Sequence, residues 1–358
     1  MRNMITNNQV LLGLSGGVDS TAAALLLKEK GYKVTGLFLD VIGNRGSDVN
    51  AAEAVAEQLC IDFLYKDVSQ QFNEDVIQYF CRAYVEGITP NPCVQCNPLV
   101  KFNVLTKTAD ELGIHWIATG HYARIFNNSN EEPYFIYKAR SFEKDQSYML
   151  YRLDQDVLSR LLLPLGELKS KEEVRELVKE KGIPNSETKD SQEICFIKNH
   201  DYTDYIINKG YENKPGDFLN KDGKVIGRHK GIIHYTIGQR KNLGQTFGKP
   251  KYVVQISPRD NTVTLGDYED LFKITVYATE SFFTAFPHVS DVLPNMYRER
   301  ALQAKIRYAA PVAEARVYQE VEKTLQIHFR EPQRAVTPGQ SIVFYDGEKL
   351  IGGAIIQA

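Results

Sequence analysis

The stretch that decides the fold is Leu11-Leu12-Gly13-Leu14-Ser15-Gly16-Gly17-Val18-Asp19-Ser20, in which a short apolar run ends in a glycine-rich turn. Helical spacing of Ala and Leu follows over Thr21–Lys30. In that setting two glycines let backbone N–H groups converge on an anion, and the helix N-terminus adds partial positive charge. Ser15 and Ser20 add hydroxyl donors. The stretch therefore predicts a phosphate-binding loop, and the alternative is a strand-to-helix turn that binds no ligand.

Strand and helix patterns alternate outward from this loop through the first 120 residues or so. Strands separated by helices of this length predict an α/β fold with a doubly wound parallel sheet. Ser170 begins a capping box that opens a further helix, which Gly182 closes. The predicted strands are Val10–Leu14, Val34–Leu39, Ile61–Tyr65 and Ile114–Thr119, and the predicted helices include Asp48–Leu59, Ser69–Val85 and Leu99–Leu112.

The second half of the chain is predicted to be mostly β. Asp222-Gly223 and Asp346-Gly347 lie between alternating runs, which is the short-range hairpin signal. We predict a catalytic domain over residues 1–205, a small central β domain over 206–272 and a C-terminal β-barrel over 273–358. The predicted later strands are Thr262–Leu265, Ala301–Tyr308, Ala313–Tyr318, Thr324–Phe329 and Ser341–Tyr345.

Composition predicts a cytoplasmic protein that does not enter the membrane. The formal net charge is −2, and five cysteines in 358 residues are not a secreted disulfide framework. No apolar run approaches the roughly 20 residues that a membrane span requires. The segment Gly223–Arg259 contains several Lys and Arg but no Asp or Glu. That segment is either the footprint of a polyanion or a solvated face of the central domain.

The pattern Ser15-Gly16-Gly17-Val18-Asp19-Ser20 resembles the loop of the ATP pyrophosphatases, and it lacks the Gly-Lys-Ser/Thr of a Walker motif. The resemblance implies that ATP is cleaved between its α and β phosphates to adenylate an oxygen. Asp19 is the expected partner of Mg²⁺, because a hard cation neutralises the leaving pyrophosphate. The loop alone leaves the substrate open, since amide and C–N ligases share it.

Three of the five cysteines are candidates for a chemical role. Cys93 and Cys96 fall in a Pro-punctuated segment between two predicted helices, which predicts a rigid loop exposing two thiols. A structural zinc half-site is the alternative, although no second pair or His cluster supplies its other ligands. Cys195 is a third distinctive thiol. Cys60 and Cys81 fall at apolar helix positions and are expected in the core.

Separate motifs in the same order along essentially the whole chain resemble the tRNA-specific 2-thiouridylases. The resemblance implies an N-terminal sheet of the ATP-pyrophosphatase (adenine nucleotide alpha hydrolase-like) type, followed by the small β domain and a tRNA-contacting barrel. The motifs are Gly13–Ser20, Thr89-Pro90-Asn91-Pro92 with Cys96-Asn97, Lys101-Phe102, Ala118–Tyr122, Lys144–Tyr148, Ile194–Ile197, Tyr235–Arg240, Ile306-Arg307-Tyr308 and Thr337–Gln340.

The resemblance implies ATP-dependent 2-thiolation of the wobble uridine of tRNA. ATP with Mg²⁺ would adenylate the 2-oxygen, and no tightly bound organic cofactor is expected. A persulfide on Cys195 would be attacked by Cys96, leaving a disulfide between them. The implied partners are the tRNA anticodon stem-loop, a persulfide sulfur donor protein and a disulfide reductant.

The resemblance also assigns binding residues. ATP would contact Gly13, Leu14, Ser15, Gly16, Gly17, Val18, Asp19, Ser20, Leu39 and Gly120. The target base would contact Asn91, Pro92 and Cys93, and the tRNA would contact His121, Lys144, Asp145, Gln146, Arg307, Tyr308 and Gln340. For Arg307-Tyr308, a plain pair on the barrel surface is the alternative.

The chain departs from the family pattern at Cys93, where many members carry an Asp credited with contacting the base. A thiol cannot act as that carboxylate. An alternative that we do not favour uses Cys93, Cys96 and Cys195 as ligands of an iron–sulfur cluster in a tRNA thiolase. A tRNA-binding module that merely retains a nucleotide loop is a further alternative.

Overall fold

The computed structural model describes residues 8–127, 133–183, 194–197, 201–285, 300–319 and 323–357. The part of the Cys195 segment before Ile194 lies outside these residues. The chain forms two compact units. The first comprises residues 1–75, 93–196 and 348–351, and the second comprises 76–92, 197–347 and 352–358. The domain boundaries after residues 205 and 272 stay predictions.

The helices follow the predicted order with different limits. They are α1 Val18–Glu29, α2 Ser47–Leu59, α3 Ser69–Phe72, α4 Gln78–Val85, α5 Pro92–Cys96, α6 Phe102–Glu111, α7 Gln155–Leu158, α8 Lys171–Glu180 and α9 Tyr202–Asn208. Two π-helical segments, Asn73–Ile77 and Asn97–Lys101, join α3 to α4 and α5 to α6.

The strands of the first half are β1 Gln9–Gly13, β2 Lys33–Asp40, β3 Asp62–Asp67, β4 Trp116–Ala118, β5 Ala123–Phe126, β6 Phe135–Lys138 and β7 Leu161–Leu162. The later strands are β8 Gly216–Leu219, β9 Val225–His229, β10 Tyr252–Ser257, β11 Thr262–Gly266, β12 Phe272–Phe283, β13 Ala301–Lys305, β14 Ala313–Gln319, β15 Leu325–Arg334, β16 Ser341–Asp346 and β17 Lys349–Ile356.

The first unit is built on a parallel sheet in the order β3-β2-β1-β4-β7. Its central strand β1 is apolar because both faces are covered, and Val10, Leu11 and Leu12 are fully buried. Helix α1 has no side-chain cap, and most of its residues are buried, so packing rather than capping fixes it. The parallel sheet confirms the predicted fold class.

The second unit contains two β structures. A mixed sheet in the order β10-β11-β8-β9 occupies the central region. Beyond it, β12, β15, β14, β13, β16 and β17 are hydrogen-bonded in that order, and β12 also pairs with β17, so the strands close on themselves. Closure removes the free edges of the sheet. The predicted C-terminal β-barrel is confirmed.

Two cysteines that were expected in the core behave differently. Cys81 is fully buried, as predicted. Cys60 is exposed at the C-terminal end of α2, where its φ is +49° in the left-handed region. The prediction for Cys60 was wrong because this residue lies just beyond Leu59, the last residue of α2, and is exposed there.

A buried carboxylate shapes the turn after β2. Asp40 accepts backbone N–H bonds from Ile42 at 3.0 Å, Gly43 at 2.7 Å and Arg45 at 3.0 Å, and the Tyr65 hydroxyl donates to it at 2.9 Å. Burial by itself would raise the pKa of Asp40, but these hydrogen bonds lower it overall. The ionised side chain therefore holds the turn that leads into α2.

Asp40→Asn tests this contribution through its pH dependence. A carboxyl whose folded pKa is lowered stabilises the protein above its unfolded pKa, near about 3.9, and the contribution disappears as the pH falls through the folded value. We expect urea midpoints of wild type and variant to differ at pH 7 and to converge below about pH 4. Asp62→Asn, which removes an exposed carboxylate from β3, is the control. A gap that stays constant with pH would contradict the assignment.

Candidate active site

The glycine-rich loop requires glycine at its centre. Gly16 has a φ of +76°, in the left-handed region that disfavours other residues. A Cβ there would lie 2.7 Å from the Ala52 backbone nitrogen on α2. The loop thus passes close to the backbone of a neighbouring helix, and no larger residue fits without displacing it.

The two serines of the loop brace it from within. The Ser15 N–H donates to Ser20 Oγ at 3.2 Å, and Ser20 Oγ donates to the Gly17 carbonyl at 3.0 Å. The Gly17 N–H lies 3.4 Å from Ser15 Oγ. These bonds shape the turn at the start of α1, where exposed backbone N–H groups suit an anion.

The structure brings the other predicted ATP contacts to the same edge of the sheet. A Cβ on Gly120 would lie 2.9 Å from the Asp19 carbonyl carbon and 3.0 Å from the Ser20 nitrogen. Leu39 is half-buried near the end of β2, two residues beyond Leu37, the parallel partner of Gly13. Carboxyl ends of parallel strands are where such folds bind ligands.

A buried lysine that the sequence analysis missed contacts the loop. Lys171 is the first residue of α8, its side chain is only 6% exposed, and its Nζ lies 2.7 Å from Asp19 Oδ1. The Tyr122 hydroxyl donates to the same oxygen at 2.5 Å. A cation at a helix N-terminus opposes the helix dipole, so this ion pair offsets an unfavourable position. In the sequence, Lys171 was indistinguishable from a surface lysine.

The cysteine segment is helical, so the predicted loop was wrong. Pro92 begins α5, where its missing N–H is not needed, and Cys93 and Cys96 are half-buried one turn apart. Asn97 follows, buried, and its amide donates to the Met149 carbonyl at 2.8 Å. The helix continues through the π segment into α6.

Cys195 reaches the same unit from far along the chain. The next residue, Phe196, is buried and packs edge-on against Phe72 with ring centroids 5.5 Å apart. Cys195 is itself exposed, yet desolvation by the surrounding protein raises the pKa of its thiol to about 12, and Cys96 and Cys93 add to the effect while Lys101 opposes it. All three cysteines belong to the first unit.

Lys101 is the cation that these thiols share. Burial raises the pKa of Cys93 and of Cys96, whereas Lys101 lowers both. It also adds to the burial that lowers the pKa of His121 well below its usual value. Lys101 belongs to the Lys101-Phe102 motif, for which the sequence indicated no role.

Several first-unit residues that are predicted to contact tRNA make hydrogen bonds within that unit. His121 is held by Thr119, with Oγ1 2.8 Å from Nδ1, and stacks on Phe102. Asp145 is buried and accepts bonds from the Ala139 and Ser147 backbone N–H groups and from the Ser147 hydroxyl.

Gln146 Oε1 accepts the Tyr122 N–H at 3.0 Å, and Lys144 is half-buried near Glu172. The Lys144–Gln146 turn is therefore hydrogen-bonded to Tyr122, the residue whose hydroxyl donates to Asp19. Through these hydrogen bonds, Asp145 and Gln146 stabilise the turn. Their contacts with tRNA stay predictions.

In the second unit, Thr337–Gln340 supports the loop that precedes the cysteines. The Thr89 N–H donates to the Pro338 carbonyl at 2.9 Å, and the Gln340 amide donates to the Thr89 carbonyl at 2.8 Å. Asn91 is half-buried and Pro92 buried beyond that contact. Two motifs about 250 residues apart thus form one local structure.

Arg307 and Tyr308 lie in the turn after β13, because that strand ends at Lys305 rather than at Tyr308. Both are half-buried, and Lys305 Nζ lies 5.4 Å from the centre of the Tyr308 ring. The predicted tRNA contact of this pair, and the alternative of a plain pair on the barrel surface, both stay predictions.

Among the residues that the structure describes, no group of three or more His, Cys, Asp or Glu side chains is arranged to hold a metal ion. The zinc and iron–sulfur alternatives stay predictions. Asp19 is a single carboxylate at a phosphate loop, which suits Mg²⁺ arriving with a nucleotide.

Comparisons with known proteins agree along the length of the chain. Residues 8–199 match the family described as tRNA methyl transferase HUP domain, 204–267 the tRNA methyl transferase PRC-barrel domain, and 286–356 the aminomethyltransferase beta-barrel domain.

Curated relatives match at full length. The tRNA-specific 2-thiouridylase MnmA of Clostridioides difficile (strain 630) is 43% identical over 366 residues, covering 99% of each chain. MnmA 1 of Caldanaerobacter subterraneus is 42% identical over 368 residues, also 99% of each chain. A solved NMN synthetase from Francisella tularensis is 20% identical with a TM-score of 0.34, covering 52% of this chain and 67% of that one, and supports no argument.

Replacing the buried lysine should cost stability. Lys171→Met leaves Asp19 without its cation, and because Asp19 is 36% exposed we expect a loss of about 1–3 kcal/mol in the free energy of unfolding, below the full cost of breaking a buried pair. Lys181→Met breaks an exposed pair with Glu29 and should cost less than about 0.5 kcal/mol. Equal losses in urea titrations would contradict the assignment.

The raised pKa of Cys195 predicts its reactivity. Below the pKa, the thiolate fraction grows about tenfold per pH unit. Iodoacetamide labelling of the Cys195 peptide, followed by mass spectrometry, should therefore keep accelerating from pH 7 to pH 10. A rate that levels off between about pH 9 and pH 10 would show that the thiol ionises in its ordinary range, near about 8.5.

Proposed function

The chain belongs to the tRNA-specific 2-thiouridylases, and we propose that it converts the wobble uridine of tRNA to 2-thiouridine at the expense of ATP. The observation that carries the proposal is that one unit holds both the glycine-rich loop and the three mutually interacting thiols. The loop suits activation of an oxygen, and the thiols suit delivery of sulfur. An amide or C–N ligase would have no use for the second feature.

The first step is activation of the uridine 2-oxygen. ATP would lie along Gly13–Ser20, with its adenine beside Leu39 and with Gly120 keeping the loop close to the sheet. The N-terminus of α1 would hold the phosphates, and Asp19 would hold the Mg²⁺ that accompanies them. Attack of the 2-oxygen on the α-phosphate forms the adenylate and releases pyrophosphate, whose charge the preorganised N–H groups stabilise.

The second step is sulfur transfer. A donor protein would load Cys195 as a persulfide. The Cys96 thiolate attacks the Cys195 sulfur, so that the terminal sulfur leaves as hydrosulfide and a Cys96–Cys195 disulfide forms. Hydrosulfide then attacks carbon 2 and AMP leaves. Because burial raises the pKa of Cys96, Lys101 has the task of favouring its thiolate.

The tRNA substrate must present a single-stranded base. Enzymes that modify a base take it out of its stack, and anticodon loops offer unstacked bases. We assign the base to Asn91, Pro92 and Cys93, a segment braced by Gln340. The remaining proposed tRNA contacts are His121, Lys144, Asp145, Gln146, Arg307 and Tyr308.

The proposal includes a persulfide donor protein and a dithiol that reduces the disulfide after each turnover. Both belong to a reducing compartment, so we propose the cytoplasm as the site of action. Among the helices that the structure describes, none is long and apolar enough to cross a membrane.

The test is formation of 2-thiouridine on an unmodified tRNA transcript with ATP, Mg²⁺ and a persulfide donor. Wild type and Cys60→Ser should form product, whereas Cys96→Ser and Cys195→Ser should form none. Free sulfide at high concentration should restore product in both serine variants, because it bypasses the thiols but not adenylation. Digested tRNA analysed by mass spectrometry gives the readout.

Three outcomes of that experiment would count against the proposal. The first is absence of product with wild type under both sulfur sources. The second is full product from Cys96→Ser with the persulfide donor. The third is pyrophosphate release that does not depend on tRNA, which would favour a ligase acting on another substrate.

A further inference from the structure

We propose that Cys93 is a resolving thiol, which takes over the Cys96–Cys195 disulfide and returns Cys195 to its reduced form before any external reductant acts. This inference rests on the proposed function and adds a third residue to its sulfur chemistry. The family's Asp at this position could not take part, so the step belongs to chains that carry a cysteine here.

The backbone places Cys93 and Cys96 at disulfide distance. They occupy the second and last positions of α5, three residues apart on one helical face. With helix dimensions of 1.5 Å rise and 2.3 Å radius, residues three apart have Cα atoms about 5 Å from each other. Disulfides need a Cα separation between about 4.4 and 6.8 Å. A Cys93–Cys96 bond therefore asks for little movement of the main chain.

The proposed Cys96–Cys195 disulfide brings Cys195 to the same pair. Phe196, the residue after Cys195, packs edge-on against Phe72 within the first unit. Lys101 opposes the rise in pKa of all three thiols, so it is the cation that they share. Because Cys93 and Cys96 lie in one short helix, the exchange needs no distant movement of the main chain.

The exchange is balanced in atoms and electrons. The Cys93 thiolate attacks the Cys96 sulfur, a Cys93–Cys96 bond forms, and the Cys96–Cys195 bond breaks. Cys195 leaves as a thiolate and takes up the proton that Cys93 gave up. No net oxidation occurs in this step. The two electrons that finally reduce Cys93–Cys96 come from an external dithiol, the same class of reductant that the proposed function already requires.

The local geometry favours this direction of exchange. A bond between residues three apart in one helix closes a short loop, whereas Cys96–Cys195 ties together two distant segments. The consequence is that Cys195 can accept the next persulfide while the oxidation is stored on Cys93 and Cys96.

The test is a single turnover with persulfide-loaded enzyme, ATP and tRNA in the absence of dithiol, followed by alkylation and peptide mapping without reduction. We expect wild type and Cys60→Ser to contain a Cys93–Cys96 disulfide and an alkylated Cys195. Cys93→Ser should instead contain Cys96–Cys195.

Two results would overturn the inference: a Cys96–Cys195 disulfide that persists in wild type, or an anaerobic preparation in which iron occupies the three cysteines. The amount of 2-thiouridine formed in the same tube separates this failure from failure of the proposed function. If 2-thiouridine forms and the disulfide is Cys96–Cys195, only the proposed role of Cys93 fails. If no product forms, the function fails. Cys93→Ala, checked for an unchanged urea midpoint, replaces the serine variant if that one misfolds.

Discussion

Close backbone packing at the carboxyl edge of the parallel sheet is the constraint on which the proposed ATP site depends. Gly16 passes the backbone of α2, and Gly120 passes the first turn of α1, each at a distance that leaves no room for a Cβ. These approaches hold the loop and the helix start in one shape before any ligand arrives. Preorganised N–H groups lose little freedom on binding an anion, which is what makes such a loop effective.

Two lysines supply the charge that this arrangement needs, and both belong to the first unit. Lys171 neutralises Asp19 at the loop, and Lys101 opposes the rise in pKa of the three thiols. Buried groups of one sign are costly unless an opposite charge lies nearby. In both the proposed nucleotide site and the group of three thiols, a lysine therefore stabilises nearby negative charge.

Two of the three thiols are protected by their surroundings. Burial raises the pKa of Cys93 and of Cys96, so at neutral pH both are mostly protonated and resist adventitious oxidation, whereas Cys195 is exposed. Reaction then depends on the local cation and on the arrival of a persulfide. Cys60 is exposed at a helix end and is not among the thiols whose charges act on Cys195. It is therefore a suitable internal control for any measurement on them.

The sequence by itself determined the parallel sheet, the phosphate loop and the identity of Cys96 and Cys195 as the thiols to examine, because strand periodicity, glycine spacing and motif order are local features. It misjudged Cys60 and the helical state of Cys93, since helix ends depend on packing. Only the tertiary structure decided that Lys171 contacts Asp19 from 152 residues away and that Lys101 acts on three thiols at once. Contacts between distant residues depend on how the elements pack, and no pattern along the chain records that.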